Sequence, residues 1–195
     1  MDQRDALRAE LTAELAAVHA TFHALLAARS DADLRQSSRN PGWTNGEVLW
    51  HMVFGFVMLA ALAPLVRLWG RLPRRYSKRF AWLLNRATGI FNRVNAWGAR
   101  GGARVYTHRR IGRRFDRAYA AVLRLVETAG DDEWALGMHY PMRWDALFHD
   151  FMTLEDICRY PIAHFNFHLN QLTPTGRAQC SAASTSTARV ETPRS

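Results

Sequence analysis

The chain has 195 residues and a mass of 22.3 kDa, the size of one compact domain that can bury a core without disulfides. Hydrophobic residues make up 48% and charged residues 22%, which excludes wholesale disorder, and the two cysteines lack the CxxC spacing of a zinc finger or thioredoxin-like motif. The net charge of +9 comes from one block: residues 61–115 hold 14 Lys and Arg and no acid, which leaves 12 basic against 17 acidic residues elsewhere.

The first predicted element is an amphipathic helix over residues 5–28. Its charged N-terminal flank lacks the apolar core of a signal peptide, so we expect a cytoplasmic protein. His19 and His23 lie at the edge of the apolar stripe, and we favour hydrogen bonding over metal ligation for this pair. The stripe itself recurs at three- and four-residue steps: Leu7, Leu11, Leu15, Val18, Phe22 and Leu25.

A capping box marks the start of a second predicted helix after a loop over residues 30–42. Thr44 and Glu47 have the spacing at which a hydroxyl and a carboxylate satisfy backbone N–H groups that a helix leaves unpaired. The helix should therefore begin at Trp43 or Thr44 and carry His51 about two turns in.

An uncharged apolar run over residues 48–66 allows two interpretations. Its length and the basic residues that follow at once are typical of a membrane span with a cytoplasmic end. The alternative is a bundle helix that is buried in protein. We favour burial, because His51 and Pro64 lie inside the run and no second comparable span follows.

The basic block interleaves arginines with aromatic residues and contains a predicted helical stretch over about residues 76–97, ended by Gly101 and Gly102. This mixture suits a peripheral membrane contact. It also suits solvated arginines with aromatics that cover the bundle or a homodimer interface. No nucleic-acid-binding motif is present, so nucleic acid ranks last among the partners.

Two more helices are predicted, over residues 104–128 and from Thr153 through Leu172, the second bent or restarted at Pro161. We expect an irregular aromatic segment between them, without strands. Residues 173–195 are rich in Ser, Thr, Ala and Arg, and we predict a disordered tail. The expected architecture is all-α: an up-and-down four-helix bundle over residues 1–172, with an inserted basic and aromatic helical segment.

Two histidines four residues apart, His164 and His168, lie on one face of the last predicted helix, close enough to bind one metal ion. Gln171 falls on the same face, where it could orient a ligand or a bound water. An HxxxH pair alone is a weak signal, and its combination with the second helix carries more weight.

That combination resembles the DinB-like (YfiT-like) metalloenzyme superfamily. The resemblance implies a four-helix bundle in which His51, His164 and His168 bind one divalent ion, and it leaves residues 64–102 as an insertion. The matching residues are Gly42-Trp43-Thr44, Glu47 and His51, then Met152-Thr-Leu-Glu-Asp156 and His164-Phe-Asn-Phe-His168-Leu-Asn-Gln171-Leu172.

Three neutral imidazoles leave a coordination position open, which is typical of a catalytic site. Zinc is the default, and nickel, iron or cobalt also suit imidazole. The superfamily implies a small-molecule substrate and a transferase, isomerase or hydrolase reaction, with a low-molecular-weight thiol as a candidate cosubstrate. Glu47 is a candidate catalytic base, although its alternative role as the helix cap is favoured.

A second function class stays open. The apolar run over residues 48–66 and the basic block over residues 67–114 would also fit a membrane-associated helical binding protein without catalysis. In that case the histidines would be incidental.

Overall fold

The computed structural model describes residues 3–105 and 107–175, and it confirms the all-α fold class. Of the tail predicted to be disordered, residues 176–195 lie outside the described part of the chain. The elements in chain order are α1 (Gln3–Ala27), α2 (Asp31–Arg35), α3 (Asn45–Gly70), α4 (Arg74–Arg86), α5 (Thr88–Val105), α6 (His108–Thr128), β1 (Gly137–His139), β2 (Phe151–Thr153) and α7 (Leu154–Leu169).

Four long helices form the bundle: α1 and α3 each pack against both α6 and α7. Helix α3 is the most central, because it also packs against α5 and buries residues on most of its sides. It is the one helix in the described ranges that is long and apolar enough to cross a membrane, a criterion that core helices of soluble proteins also meet.

Contacts between helix ends fix the directions of the helices. Arg8, near the start of α1, donates to the carbonyl of Ala129 just after α6 (2.8 Å), so these helices are antiparallel. Arg4 and Glu155 pair at the starts of α1 and α7 (3.9 Å), which makes that pair parallel.

Helix α3 runs antiparallel to α7, because Asn45 at its start donates to the hydroxyl of Thr173 beyond the end of α7 (2.7 Å). Helices α3 and α6 therefore point the same way, and the bundle is up-down-down-up instead of strictly alternating. The inserted pair α4 and α5 causes this difference, since it returns the chain to the end of the bundle where α3 began.

The inserted segment contains two helices where we expected one. Helix α4 ends at Arg86, and α5 continues through Gly101 and Gly102, where we expected a break. Gly102 lies against the indole of Trp50 on α3, at a place where a Cβ atom would overlap the ring. This glycine therefore allows close approach of two helices. Helix α3 likewise continues through Pro64 and ends at Gly70.

The segment between α6 and α7 contains a small antiparallel strand pair that we did not predict. Met138 of β1 lies opposite Met152 of β2, and each strand has only three residues. An alternating pattern cannot be recognised over so short a run. Helix α7 then starts at a capping box formed by Thr153 and Asp156 and runs through Pro161 without interruption.

The two neighbouring glycines of α5 should respond oppositely to a methyl group. Gly102→Ala should lower the free energy of unfolding by about 1–3 kcal/mol, because the Cβ overlaps the Trp50 indole. Gly101→Ala meets no atom within 4 Å and should raise it by up to about 1 kcal/mol through helix propensity. Urea titration measures both, and equal effects would contradict this packing.

Candidate metal centre

Two helices bring the three predicted histidines together. The capping box of Thr44 and Glu47 starts α3, and His51 follows two turns later on a buried part of the helix. His164 and His168 lie one turn apart on α7. All three are buried, with His51 and His168 each 8% exposed and His164 2% exposed.

The imidazole rings converge on one small space. The Nε2 atoms of His51 and His164 lie 3.3 Å apart, and the three ring centroids are separated by 4.5–4.9 Å. One nitrogen from each ring lies within 4.8 Å of the others, so the group could hold a metal ion. That these residues are ligands stays a prediction.

Two neighbouring residues position the rings. The Nδ1–H of His168 donates to Oε1 of Gln171 (2.8 Å), which leaves Nε2 of His168 with a free lone pair for a metal. Gly55 on α3 makes room for His164, since a Cβ atom there would lie 2.7 Å from its Nδ1. The sequence predicted the position of Gln171 but gave no signal for the role of Gly55.

The three histidines are neutral at physiological pH. Burial, with a smaller contribution from His168, lowers the pKa of His51 to about 3. Burial also lowers the pKa of His164 well below its usual value. It lowers the pKa of His168 too, against the opposing effect of the hydrogen bond that His168 donates to Gln171. Neutral imidazole is the form that binds metal.

Two buried nitrogens in this group have no hydrogen-bond partner among the described residues: Nδ1 of His51 and Nδ1 of His164. A neutral imidazole with Nε2 directed at a metal carries its proton on Nδ1. With Nε2 of His168 left free by Gln171, the donor set fits a divalent ion bound through one nitrogen of each ring.

A cavity of about 450 Å³ adjoins the histidines, and both His51 and His164 line it. Two polar residues on its wall were not predicted from the sequence to belong to the site. The hydroxyl of Tyr160 donates to Oδ2 of Asp145 (2.7 Å), and the Tyr160 ring lies 5.3 Å from that of His164. Burial, together with the Asp145 carboxylate, raises the pKa of Tyr160 above its usual value.

A sequence signal existed for Tyr160, because residues 160, 164 and 168 recur at steps of four on one helix face. None existed for Asp145, which lies in the irregular segment that folds over the cavity. The carboxylate of Glu47 accepts the N–H of Thr44 (2.8 Å), which is the capping role, and it lines a different cavity. Its role as a base stays a prediction.

The first-helix histidines are hydrogen-bonded, as we favoured. Oδ1 of Asp116 on α6 accepts hydrogen bonds from Nε2 of His19 (2.8 Å) and Nε2 of His23 (2.7 Å). Although burial raises it, these hydrogen bonds lower the pKa of Asp116 overall. The group is half-exposed and has the geometry of a second set of candidate metal ligands, separate from the buried one.

Fold and site together define an all-α bundle with a buried three-histidine group suited to a divalent ion. Residues 14–172 match the family model of the DinB superfamily, and the chain belongs to that superfamily. No curated protein and no solved structure matches the chain. The family is thus established, and any particular activity has to be inferred from the chemistry of the site.

The lowered pKa of His51 predicts how the stability of metal-free protein depends on pH. Between pH 6.5 and about 3 the unfolded chain binds a proton at His51 that the folded chain does not, so stability is lost as pH falls through this window. Replacing His51 with Leu should flatten the slope by up to about 1.4 kcal/mol per pH unit, measured by denaturant titration at several pH values. An unchanged slope would show that His51 protonates normally in the fold.

Proposed function

We propose that the protein is a metal-dependent enzyme that acts on a small molecule at the three-histidine group. The observation that supports this is the convergence of three neutral, buried imidazoles beside a cavity large enough for a substrate. Three protein ligands leave room for a substrate atom or a water, which is the arrangement of catalytic centres.

His51, His164 and His168 would hold the ion, with zinc as the default and nickel, iron or cobalt as alternatives. When bound, such an ion lowers the pKa of a coordinated water or thiol and polarises a carbonyl. Gln171 orients His168, and the bond between Tyr160 and Asp145 places a hydroxyl and a carboxylate on the cavity wall. These two groups can bind and orient the polar part of a substrate.

A thiol-dependent transfer or isomerisation would use a thiol from outside the described chain. Cys158 is fully buried, and burial raises the pKa of its thiol to about 12, so it is not a reactive thiolate. A low-molecular-weight thiol as cosubstrate is part of the proposal, with hydrolysis by an activated water as the other reaction class.

Purified protein prepared without chelator should contain one divalent ion per chain. The double variant His164→Ala/His168→Ala should lose it, because only one of three ligands would remain. Elemental analysis by mass spectrometry measures the stoichiometry. Absence of metal from the unchanged protein, even after incubation with zinc, would overturn the proposed metal centre.

The single variants separate the two histidine groups. His51→Ala and His168→Ala should each weaken zinc binding at the buried centre by a similar, large factor. His19→Ala serves as the matched control, since it removes a histidine from α1 and leaves the buried group intact. Competition with a chromophoric chelator gives the affinities. If His19 mattered to this centre and His51 did not, the ligand assignment would be wrong.

A second candidate function is attachment to an anionic membrane surface, which is favoured by the outer face of α5. Trp97 on this face is 78% exposed, and it shares one helical stripe with Ile90, Val94 and Val105. Exposed arginines run beside the stripe: Arg93, Arg100 and Arg104. Exposed apolar side chains beside basic ones suit a bilayer interface, and the same face could alternatively form a homodimer contact.

Cell fractionation and vesicle sedimentation test this candidate. A protein attached through the α5 face should sediment with anionic vesicles at low salt and be released as salt rises, because screening shortens the reach of each charge. Trp97→Ser should weaken sedimentation, whereas Phe167→Ser, at an exposed aromatic on α7, should not. Extraction of the native protein only by detergent would instead indicate that α3 spans the bilayer.

A further inference from the structure

The cavity beside the three histidines is walled mainly by hydrocarbon. Helices α4 and α5 contribute Phe80, Leu84, Phe91 and Val94, and α3 faces them with a row of aliphatic and aromatic side chains. The ring of Phe91 stacks on Trp144 at 4.0 Å between centroids, which holds the inserted helices against the segment that follows β1. A built apolar wall of this kind favours an apolar ligand.

The distribution of charge on the inserted helices also favours a ligand without charge. The block from residue 61 to 115 carries 14 Lys and Arg, yet none of them lines this cavity. Asp145 is the one carboxylate that the described residues place on its wall, and it already accepts a hydrogen bond from the hydroxyl of Tyr160. A site for a phosphate or carboxylate substrate would use the arginines that lie so near in sequence.

We infer that the ligand of this cavity is an uncharged amphiphilic small molecule, with one polar group at the histidines and an alkyl or aryl tail between α3 and the inserted helices. This inference rests on the proposed metal centre, because the ion would bind the polar group. The rim of the cavity lies at Val94, which both lines it and is 63% exposed, so the tail enters beside the outer face of α5.

A series of n-alkyl hydroxamic acids tests the inference on the zinc-loaded full-length chain. Their shared head group binds zinc, and only the tail changes from acetohydroxamate to octanohydroxamate. Affinity measured by calorimetry should rise by about threefold to fourfold per methylene while the tail enters the cavity, for a total of at least about 100-fold. Equal affinity along the series would overturn the inference and leave the metal centre standing.

Neighbouring residues supply matched controls. Leu84→Glu places a carboxylate in the cavity and should abolish the dependence on tail length, whereas Leu83→Glu adds the same charge at an exposed site outside it. On the rim, Val94→Glu should weaken octanohydroxamate binding, and Ile90→Glu, one turn earlier and also exposed, should not. This second pair keeps the test valid if Leu84→Glu fails to fold.

The outcomes separate the two proposals. Zinc stoichiometry reports the metal centre alone and should be unchanged in all four variants. Acetohydroxamate binding should be unchanged in the controls Leu83→Glu and Ile90→Glu. If the tail dependence survives both Leu84→Glu and Val94→Glu, the tail binds elsewhere and the inference fails. If the native chain binds neither zinc nor acetohydroxamate, the proposed function fails and the inference with it.

Discussion

Three uncharged imidazoles share a buried space between α3 and α7. The directions and close packing of the surrounding helices are what bring the three rings together there. Residue 51 lies near the start of α3 and residues 164 and 168 near the end of α7, so they meet only because the two helices are antiparallel. Because Gly55 has no side chain, the ring of His164 can pack closely against α3. Two of the imidazole nitrogens are buried without a partner among residues 3–105 and 107–175. Such burial costs about 1–3 kcal/mol for each nitrogen, a cost that folds retain at functional sites.

The inserted helices change both the topology and the chemistry of the bundle. By returning the chain along α3, they make α3 and α6 parallel and place α5 in contact with Trp50, whose indole N–H donates to the carbonyl of Gly98 (3.0 Å). Their inner sides supply the apolar wall of the cavity, and their outer sides carry the arginines. One segment thus separates a hydrocarbon interior from a cationic exterior, although its overall composition shows only the charge.

Local sequence rules predicted the parts of the fold that depend on local contacts. The capping box at Thr44 starts α3 and the cap at Thr153 starts α7, as expected, and the HxxxH spacing places His164 and His168 on one face. The predictions were wrong where a contact with a residue distant in sequence determines the local structure. Gly102 resembles a helix breaker until Trp50 packs against it, and Asp145 lies in a segment without periodicity that only the tertiary fold carries to Tyr160. The predicted alternation of helix directions differs from the structure for the same reason, since no local pattern indicates the path of the inserted helices.

The two candidate surfaces of α5 are physically connected at Val94. This residue belongs to the exposed apolar stripe and also to the cavity rim, so a surface that docked on a bilayer would bring the cavity mouth to the hydrocarbon boundary. An apolar molecule dissolved in the bilayer could then enter without crossing water, which would otherwise oppose its transfer by roughly 0.8 kcal/mol per methylene. The two proposals are therefore physically consistent, because membrane attachment would bring the cavity mouth to the phase in which an amphiphilic ligand dissolves. Neither proposal requires α3 to leave the bundle core.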